Sequence, residues 1–376
     1  MPKKPTPDDL RNLLAPRTEP CISLFLPLPR HGSELAMAPV RFRNLVRQAE
    51  ALLAERYDAK RIRELIAPLA GLAEAVDVFT PGPEGLAAFR ADGLLEAYRI
   101  WPPPPERAVV ADSFHVKPLL RSLQDRDRYN VLALGSRHIA LFDGSERGLV
   151  PRALPGLPAT LAASGAGEAG GRGVGRGGAR GGPGKVPGEG DGARREETLR
   201  LLRAADAALR EALPNATTIL LAGPGSVLPA FREICTHPAL FPEGVEGAVD
   251  DVGVDELHER VLPAARRALE ARDARLVEDI RKAQDRGLAG DVLTAVAEAA
   301  VAGRVRRLVV AGGRTLFGRM DRVTGEVTLH AGQTGPQDDD VLDDLAETVL
   351  SRGGEVFVLD AAKMPHEAAA VAIYRW

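Results

Sequence analysis

Aromatic residues and cysteines are both scarce in this chain of 376 residues. Phe, Trp and Tyr together make up 4% of the sequence, so aliphatic side chains and alanine must fill the core. The two cysteines, Cys21 and Cys235, cannot build a disulfide framework, which indicates a reducing compartment. The sequence has no N-terminal apolar segment typical of a signal peptide and no apolar run of about 18 residues. We therefore expect a cytoplasmic protein with no membrane partner.

The sequence also lacks the common signatures of enzymes and metal sites. Gly165–Gly170 and Gly173–Gly178 match the letters of the dinucleotide fingerprint, but neither joins a strand directly to a helix. A phosphate loop is excluded because Val186 follows Lys185, where a Ser or Thr would have to meet magnesium. The seven histidines are dispersed, and none pairs with a cysteine at metal-ligand spacing. We expect neither a metal nor another cofactor.

Short apolar strands alternate with amphipathic helices along the whole chain, which predicts an α/β fold. The pattern divides into three α/β domains, at about residues 1–118, 119–242 and 243–376. In the first domain, Cys21–Leu26 predicts a buried strand and Asp92-Gly93 predicts the turn of a hairpin. In the middle domain, one helix has a stripe of four residues that we expect to be buried: Leu202, Ala205, Leu209 and Leu213.

Charge is distributed unevenly over these domains. The first has 16 basic and 15 acidic residues (+1), the middle one 16 and 12 (+4), and the last 17 and 25 (−8). A basic middle and an acidic end indicate different partners, with a protein favoured for the acidic domain. Five aspartates cluster at the predicted start of a helix: Asp338, Asp339, Asp340, Asp343 and Asp344. They form either a surface for that partner or a solvated helix start that complements the helix dipole.

A low-complexity tract occupies residues 165–192. Glycine makes up 14 of its 28 residues, so we expect it neither to form a helix nor to bury a core. Asp191 is predicted to cap the helix that follows. Between Ala169 and Gly188 the tract contains cations and no acid, and Arg194 and Arg195 continue the basic run. The predicted nucleic-acid-binding residues are Arg172, Arg176, Arg180, Lys185, Arg194 and Arg195. An inert linker is the alternative.

A second glycine motif, Gly223-Pro224-Gly225-Ser226, joins an apolar strand to a helix. Free backbone N–H groups at a helix N-terminus can hold an anion, so Gly223, Gly225 and Ser226 form a candidate anion site. A tight strand-to-helix turn without a ligand is the alternative, and it is the interpretation that we favour.

The order of these motifs resembles archaeo-eukaryotic peptide-chain release factors and pelota. The resemblance rests on the long glycine-rich loop followed by a helix and Thr218–Gly225, and on Asp291–Val310 and Gly353–Leu359 in the last domain. Cys21–Pro27 and Phe114–Leu120 are similar to the bacterial branch, the bacterial archaeo-eukaryotic release-factor-like family, subfamily three. The resemblance implies a ribonuclease-H-like middle domain and a third domain similar to a kink-turn-binding ribosomal-protein fold.

In that family the loop carries Gly-Gly-Gln and enters the peptidyl-transferase centre, where the glutamine positions the attacking water. This sequence has no Gly-Gly-Gln, and the nearest triplets are Gly177-Gly178-Ala179 and Gly181-Gly182-Pro183. Alanine and proline lack a side-chain amide. The Asn-Ile-Lys-Ser tetrapeptide used to read stop codons is absent too.

The resemblance and these departures together imply a non-catalytic, tRNA-shaped factor in translation rescue, stalling or hibernation. Its partners would be the ribosome with its rRNA, and a translational GTPase at the C-terminal domain. Two alternatives remain. One is a peptidyl-tRNA hydrolase with a substituted loop, and the other is a signalling or scaffold protein that uses the same fold outside translation.

Overall fold

The computed structural model describes residues 2–15, 18–28, 33–79, 85–124, 128–135, 138–156, 189–214, 218–332 and 339–376. The chain divides into two compact units: unit 1 combines Met1–Arg126 with Arg272–Trp376, and unit 2 is Asp127–Ala271. Sheets with packed helices make up both units, so the predicted α/β class is confirmed. The division at residues 118 and 242 stays a prediction, since contacts do not test which segments fold alone.

The N-terminal segment of unit 1 is built on an antiparallel sheet of order β3-β2-β1-β4. Helices α3 and α4 pack against one face of it through an aliphatic cluster. The predicted hairpin is present, and Gly93 adopts φ 69° at its turn. The elements of this segment are α1 (Pro7–Leu14), β1 (Cys21–Pro27), α2 (Ser33–Ala36), α3 (Ala38–Ala54), α4 (Ala59–Glu74), β2 (Gly85–Ala91), β3 (Leu94–Ile100), β4 (Arg107–Ala111) and α5 (Lys117–Leu123).

Unit 2 contains a five-stranded mixed sheet of order β7-β6-β5-β8-β9. Strands β5, β8 and β9 are parallel, whereas β6 is antiparallel to both of its neighbours. This order and these directions are those of the ribonuclease-H-like fold, which confirms the prediction. The elements are β5 (Arg128–Leu134), β6 (Ile139–Ser145), β7 (Gly148–Arg152), α6 (Glu189–Ala212), β8 (Ile219–Gly223), α7 (Val227–Ile234), β9 (Leu240–Glu246) and α8 (Val254–Gln284), whose C-terminal part belongs to unit 1.

Helix α6 begins earlier than the sequence predicts. It starts at Glu189, so the last residues of the glycine-rich tract are helical and Asp191 lies inside the helix instead of capping it. At residues 189–192 both predictions were wrong, for one physical reason. The predicted stripe is buried, with Leu202 3% and Leu209 0% exposed, and this packing extends a helix that the local glycines disfavour.

The C-terminal segment of unit 1 has a sheet of order β10-β16-β11-β15 and a small sheet of order β13-β12-β14. In the larger sheet β11 and β15 are parallel, and β16 is antiparallel to β10 and β11. This is the arrangement of the kink-turn-binding ribosomal-protein fold, as predicted. The elements are β10 (Ala289–Gly290), α9 (Leu293–Val301), β11 (Val305–Gly312), β12 (Phe317–Met320), β13 (Val327–Leu329), β14 (Asp339–Asp340), α10 (Val341–Ser351), β15 (Glu355–Asp360) and β16 (Ala370–Tyr374).

The two segments of unit 1 share one hydrophobic core. Phe114 and Leu119 from the first segment lie in the same buried cluster as Leu308, Leu342 and Val358 from the second. Cys21 and Cys235 form no disulfide bond. Within the described ranges, none of the helices combines the length and the apolar character that a membrane crossing demands.

Candidate functional site

The loop predicted to contact RNA lies outside the described residues. This applies to Arg172, Arg176, Arg180 and Lys185, and equally to the triplets that contain Gly177, Gly178, Gly181, Gly182 and Pro183. The described chain stops at Gly156, shortly after β7, and resumes with α6. The backbone of Arg194 and Arg195 lies in α6. The assignment of these residues to nucleic-acid binding stays a prediction.

The Gly223–Ser226 motif forms the turn between β8 and α7. A Cβ atom on Gly223 would lie 2.5 Å from the carbonyl oxygen of Leu134 on β5, so the close approach of two strands demands glycine. A Cβ atom on Gly225 would lie 3.1 Å from Oε2 of Glu246. That carboxylate would repel an anion held at the turn, and the Ser226 side chain makes no capping bond. The geometry favours a tight turn, the alternative to the candidate anion site.

The aspartates at the start of α10 are buried, not displayed. Asp340, Asp343 and Asp344 are 0%, 1% and 7% exposed. Asp338 lies outside the described residues, and the backbone of Asp339 belongs to β14. The prediction that this cluster forms a surface for a protein partner, or else a solvated helix start, is wrong for the three buried residues. Burial of charge is costly unless each group is paired or hydrogen-bonded, and these carboxylates contact cations or backbone N–H groups within unit 1.

Asp340 is paired with Lys117, the first residue of α5. The Lys117 ammonium group contacts Oδ2 of Asp340 and donates to the carbonyl oxygen of Arg314 at 2.7 Å. Oδ1 of Asp340 accepts from the backbone N–H groups of Leu316 and Leu342, at 3.0 and 3.2 Å. The carboxylate therefore caps α10 and holds a buried cation from the N-terminal segment.

Asp343 holds the turn that leads into α5. It accepts hydrogen bonds from the backbone N–H groups of Val116, at 3.0 Å, and of Lys117, at 2.6 Å. His115 lies beside it with Nδ1 3.6 Å from Oδ1, beyond hydrogen-bond distance. Burial lowers the pKa of His115 well below its usual value, and the positive charges of Lys117 and Arg107 lower it further. His115 is therefore neutral at neutral pH.

Asp344 faces Arg322, which is shared among several acceptors. The Nη2 atom of Arg322 lies 2.8 Å from Oδ1 of Asp344, 3.0 Å from Oε2 of Glu347 and 3.5 Å from Oδ1 of Asp112. It also donates to Ser113 Oγ at 2.8 Å. Burial raises the pKa of Asp344 to about 6, against the attraction of Arg322, and the nearby charges of Asp112 and Asp340 add to the increase.

We expect the raised pKa of Asp344 to change how stability depends on pH. The folded state holds this proton more tightly than the unfolded chain, so the contribution of Asp344 to stability increases as the pH falls from about 7 to about 5. Chemical denaturation should show the free energy of unfolding of the wild type rising over this window relative to that of Asp344→Asn. Asp321→Asn is the control, because backbone hydrogen bonds from Thr324 and Val323 lower the pKa of Asp321. A pH-independent difference for Asp344→Asn would contradict the prediction.

Unit 1 also contains a cavity of about 630 Å³, including its open mouth. Its lining includes the four prolines of 102–105, four cationic side chains and His115. These cations are Arg107, Lys117, Arg121 and Arg314. None of the sequence motifs predicts this site. One signal is present in the sequence: a buried strand ends at Gly312, and Gly313-Arg314-Thr315 follows, so that a basic residue comes directly after two glycines.

The cavity lies at the carboxyl ends of two parallel strands. Gly312, the last residue of β11, pairs with Asp360, the last residue of β15. In open α/β sheets, ligands bind in the crevice outside the carboxyl ends of the strands. Across the described part of the chain, His, Cys, Asp and Glu side chains nowhere gather in a group of three or more suited to hold a metal ion.

Comparison with known proteins identifies the class of the middle of the chain. Its sheet has the order and strand directions of the ribonuclease-H-like fold, and in sequence the glycine-rich tract lies between β7 and α6. Residues 128–304 match the family model of bacterial archaeo-eukaryotic release factor family 3. The predicted resemblance to this family is therefore confirmed over unit 2 and the beginning of the C-terminal segment. No curated protein matches the chain.

Several solved structures are similar to the chain at low identity. The archaeal translation termination factor aRF1 is 18% identical over 98% of this chain and 96% of its own, with a TM-score of 0.25. Archaeal Pelota, from a model of ribosome-bound Pelota and ABCE1, is 15% identical over 100% and 95%, with a TM-score of 0.42. Dom34 of S. cerevisiae, a translation termination-like factor that interacts with Hbs1, is 10% identical over 81% and 76%, with a TM-score of 0.43.

Proposed function

We propose that this protein is a ribosome-associated, release-factor-like factor that does not hydrolyse peptidyl-tRNA and acts in translation rescue, stalling or hibernation. One observation carries the proposal: residues 128–304 match a release-factor family, yet the sequence contains no Gly-Gly-Gln. A chain that kept the ribosome-binding fold without the catalytic glutamine can occupy the site of a release factor and leave the peptidyl-tRNA ester intact.

The glycine-rich tract is the proposed contact with RNA. The stretch from Ala169 to Gly188 contains four cations and no acidic residue, so its cations are suited to phosphate groups. Arginine–glycine segments bind RNA through charge and stacking, without reading a particular sequence. The tract thus replaces a catalytic loop with a cationic one.

A translational GTPase is the proposed protein partner of the C-terminal segment. The net charge of −8 over residues 243–376 supports a protein partner over RNA. Asp340, Asp343 and Asp344 are buried inside unit 1 and cannot contact a partner. Other acidic residues must therefore form the surface that binds the GTPase.

Sedimentation with ribosomes tests the proposal. The purified chain should pellet with ribosomes, and changing Arg172, Arg176, Arg180 and Lys185 together to Ala should weaken its binding. Each lost phosphate contact lowers the slope of log affinity against log salt by about 0.7–0.9, so the slope should flatten by about 2–3 units if most of the four make contact. The measurement is the fraction bound at several salt concentrations. A chain that stays in the supernatant at low salt would refute ribosome association and favour a scaffold outside translation.

A matched control separates loop contacts from general charge. Arg47, Arg56, Lys60 and Arg63 are exposed residues of the N-terminal segment, and they also comprise three arginines and one lysine. Changing them together to Ala alters the net charge by the same amount and should leave the salt slope unchanged. If both quadruple variants lose the same amount of affinity for ribosomes, the glycine-rich tract makes no specific contribution to binding.

A further inference from the structure

The cavity of unit 1 is formed by residues that are distant in sequence from the glycine-rich tract. We propose that this cavity binds a nucleotide, with the phosphate groups held by its arginines and the base packed against its prolines. The proposal does not depend on the proposed function, because the cavity, its charge and its shape belong to unit 1 alone.

The charge of the lining points to an anion. Four of the fifteen lining residues are Arg or Lys, and none is Asp or Glu. Two of these cations already contact carboxylates of unit 1. Lys117 contacts Asp340, and Nη2 of Arg121 lies 3.3 Å from Oδ1 of Asp360. The positive charge available to a ligand therefore comes from the other two side chains.

Arg107 and Arg314 are those two cations. Arg107 donates from Nη1 to the Thr315 hydroxyl at 3.1 Å, and Arg314 donates from Nη1 to the carbonyl oxygen of Glu367 at 2.8 Å. Neither is paired with a carboxylate among the described residues. Each guanidinium group is thus held at one nitrogen by a neutral acceptor and keeps further N–H donors. Guanidinium groups recognise phosphate through two parallel hydrogen bonds, which makes this pair suited to a phosphate group.

The glycines at the end of β11 keep the cationic side open. A Cβ atom on Gly312 would lie 3.1 Å from Nη1 of Arg121 and 3.2 Å from the carbonyl oxygen of Leu359. Gly313 adopts φ 75°, in the left-handed region that side chains disfavour. Side chains are therefore kept away from the strand end, where the backbone can approach a ligand closely.

His115 adds an aromatic ring to the lining. Its Nδ1 atom is buried without a hydrogen-bond partner and lies 3.6 Å from Oδ1 of Asp343. Burial lowers the pKa of His115, so the ring brings no positive charge of its own. The cavity thus offers a neutral imidazole beside its arginines.

The prolines of the lining suit the apolar face of a base. The residues of 102–105 contribute rigid apolar rings, and Val358 adds to this apolar surface. Small-molecule sites usually combine apolar walls with a few placed polar groups, and the lining of this cavity contains both. A strand of RNA follows an extended cationic groove with stacking aromatic rings, so a mononucleotide fits this cavity better.

Calorimetric titration of the purified full-length chain with ATP and with GTP tests the proposal. We expect saturable binding of at least one nucleotide, with a Kd of about 1 mM or tighter. Adenosine lacks the phosphates and inorganic phosphate lacks the base, so each should bind at least about tenfold more weakly. Arg107→Gln and Arg314→Gln should each weaken nucleotide binding by about tenfold. Arg314 is exposed, so the second variant should melt like the wild type.

Arg306→Gln is the matched control. Arg306 is exposed on the same strand as Gly312 but near its opposite end, so the same charge change there should leave nucleotide affinity unchanged. Absence of saturable ATP and GTP binding at about 1 mM would overturn the proposal. So would equal losses in Arg306→Gln and Arg314→Gln, or binding of inorganic phosphate as tight as that of the nucleotide. Ribosomes are absent from this assay, which keeps its outcome separate from the test of ribosome association.

Discussion

Ribosomes with peptidyl-tRNA and an empty A site should release no peptide when this protein is added. The reason is the missing amide, because neither Pro183 nor Ala179 can orient the attacking water. Loss of such a positioned group costs about 10³-fold or more in rate, by comparison with other oriented catalytic groups. The measurement is release of a labelled peptide over time, with a catalytically competent release factor as reference.

Restoring the amide makes this test sharper. Pro183→Gln completes a Gly-Gly-Gln triplet at 181–183, and Ala179→Gln completes one at 177–179. If the loop reaches the peptidyl-transferase centre, one of the two variants should place its glutamine where the family's glutamine lies. That variant should release a measurable amount of peptide. Pro183→Ala is the control, since it removes the proline without adding an amide. Release by the wild type at a rate comparable to the reference would instead support a peptidyl-tRNA hydrolase with a substituted loop.

Most elements of the fold could be predicted because their signals are local. The strand Cys21–Pro27 is a continuous apolar run, and Asp92-Gly93 is a turn that only a hairpin explains well. The position where α6 begins could not be predicted in the same way. Local glycine content disfavours a helix at Glu189. Leu202 and Leu209 pack on a sheet whose strands are distant in sequence, and this packing stabilises the helix more than the glycines destabilise it.

The cavity and the buried acids could not be predicted because they depend on contacts between distant segments. The Lys117 and Asp340 side chains meet although 223 positions separate them in sequence. The aspartates of α10 look identical in sequence whether they face solvent or a buried cation. Only the folded structure distinguishes these two cases, because it packs the start of α10 against the turn at Val116. Arg107, Arg121 and Arg314 likewise form one cationic wall only after both segments of unit 1 have packed together.

The Lys117–Asp340 pair should be a major contributor to the stability of unit 1. Lys117→Met keeps the length and apolar stem of the side chain and removes its charge, which leaves the fully buried Asp340 carboxylate without its cation. Removing one partner of a buried pair typically costs about 3–5 kcal/mol, because the remaining charge stays desolvated and unpaired. Both tryptophans, Trp101 and Trp376, lie in unit 1, so their fluorescence during urea unfolding reports on this unit.

Two further variants show whether burial is the cause of this loss. Lys363 and Asp273 form a comparable pair at 2.6 Å, but the Lys363 side chain is 41% exposed, so Lys363→Met should cost less than about 1 kcal/mol. The double variant with Lys117→Met and Asp340→Asn removes both charges and should recover part of the stability lost in Lys117→Met. A loss in Lys117→Met no larger than that in Lys363→Met, or no recovery in the double variant, would show that the pair does not hold the two segments of unit 1 together.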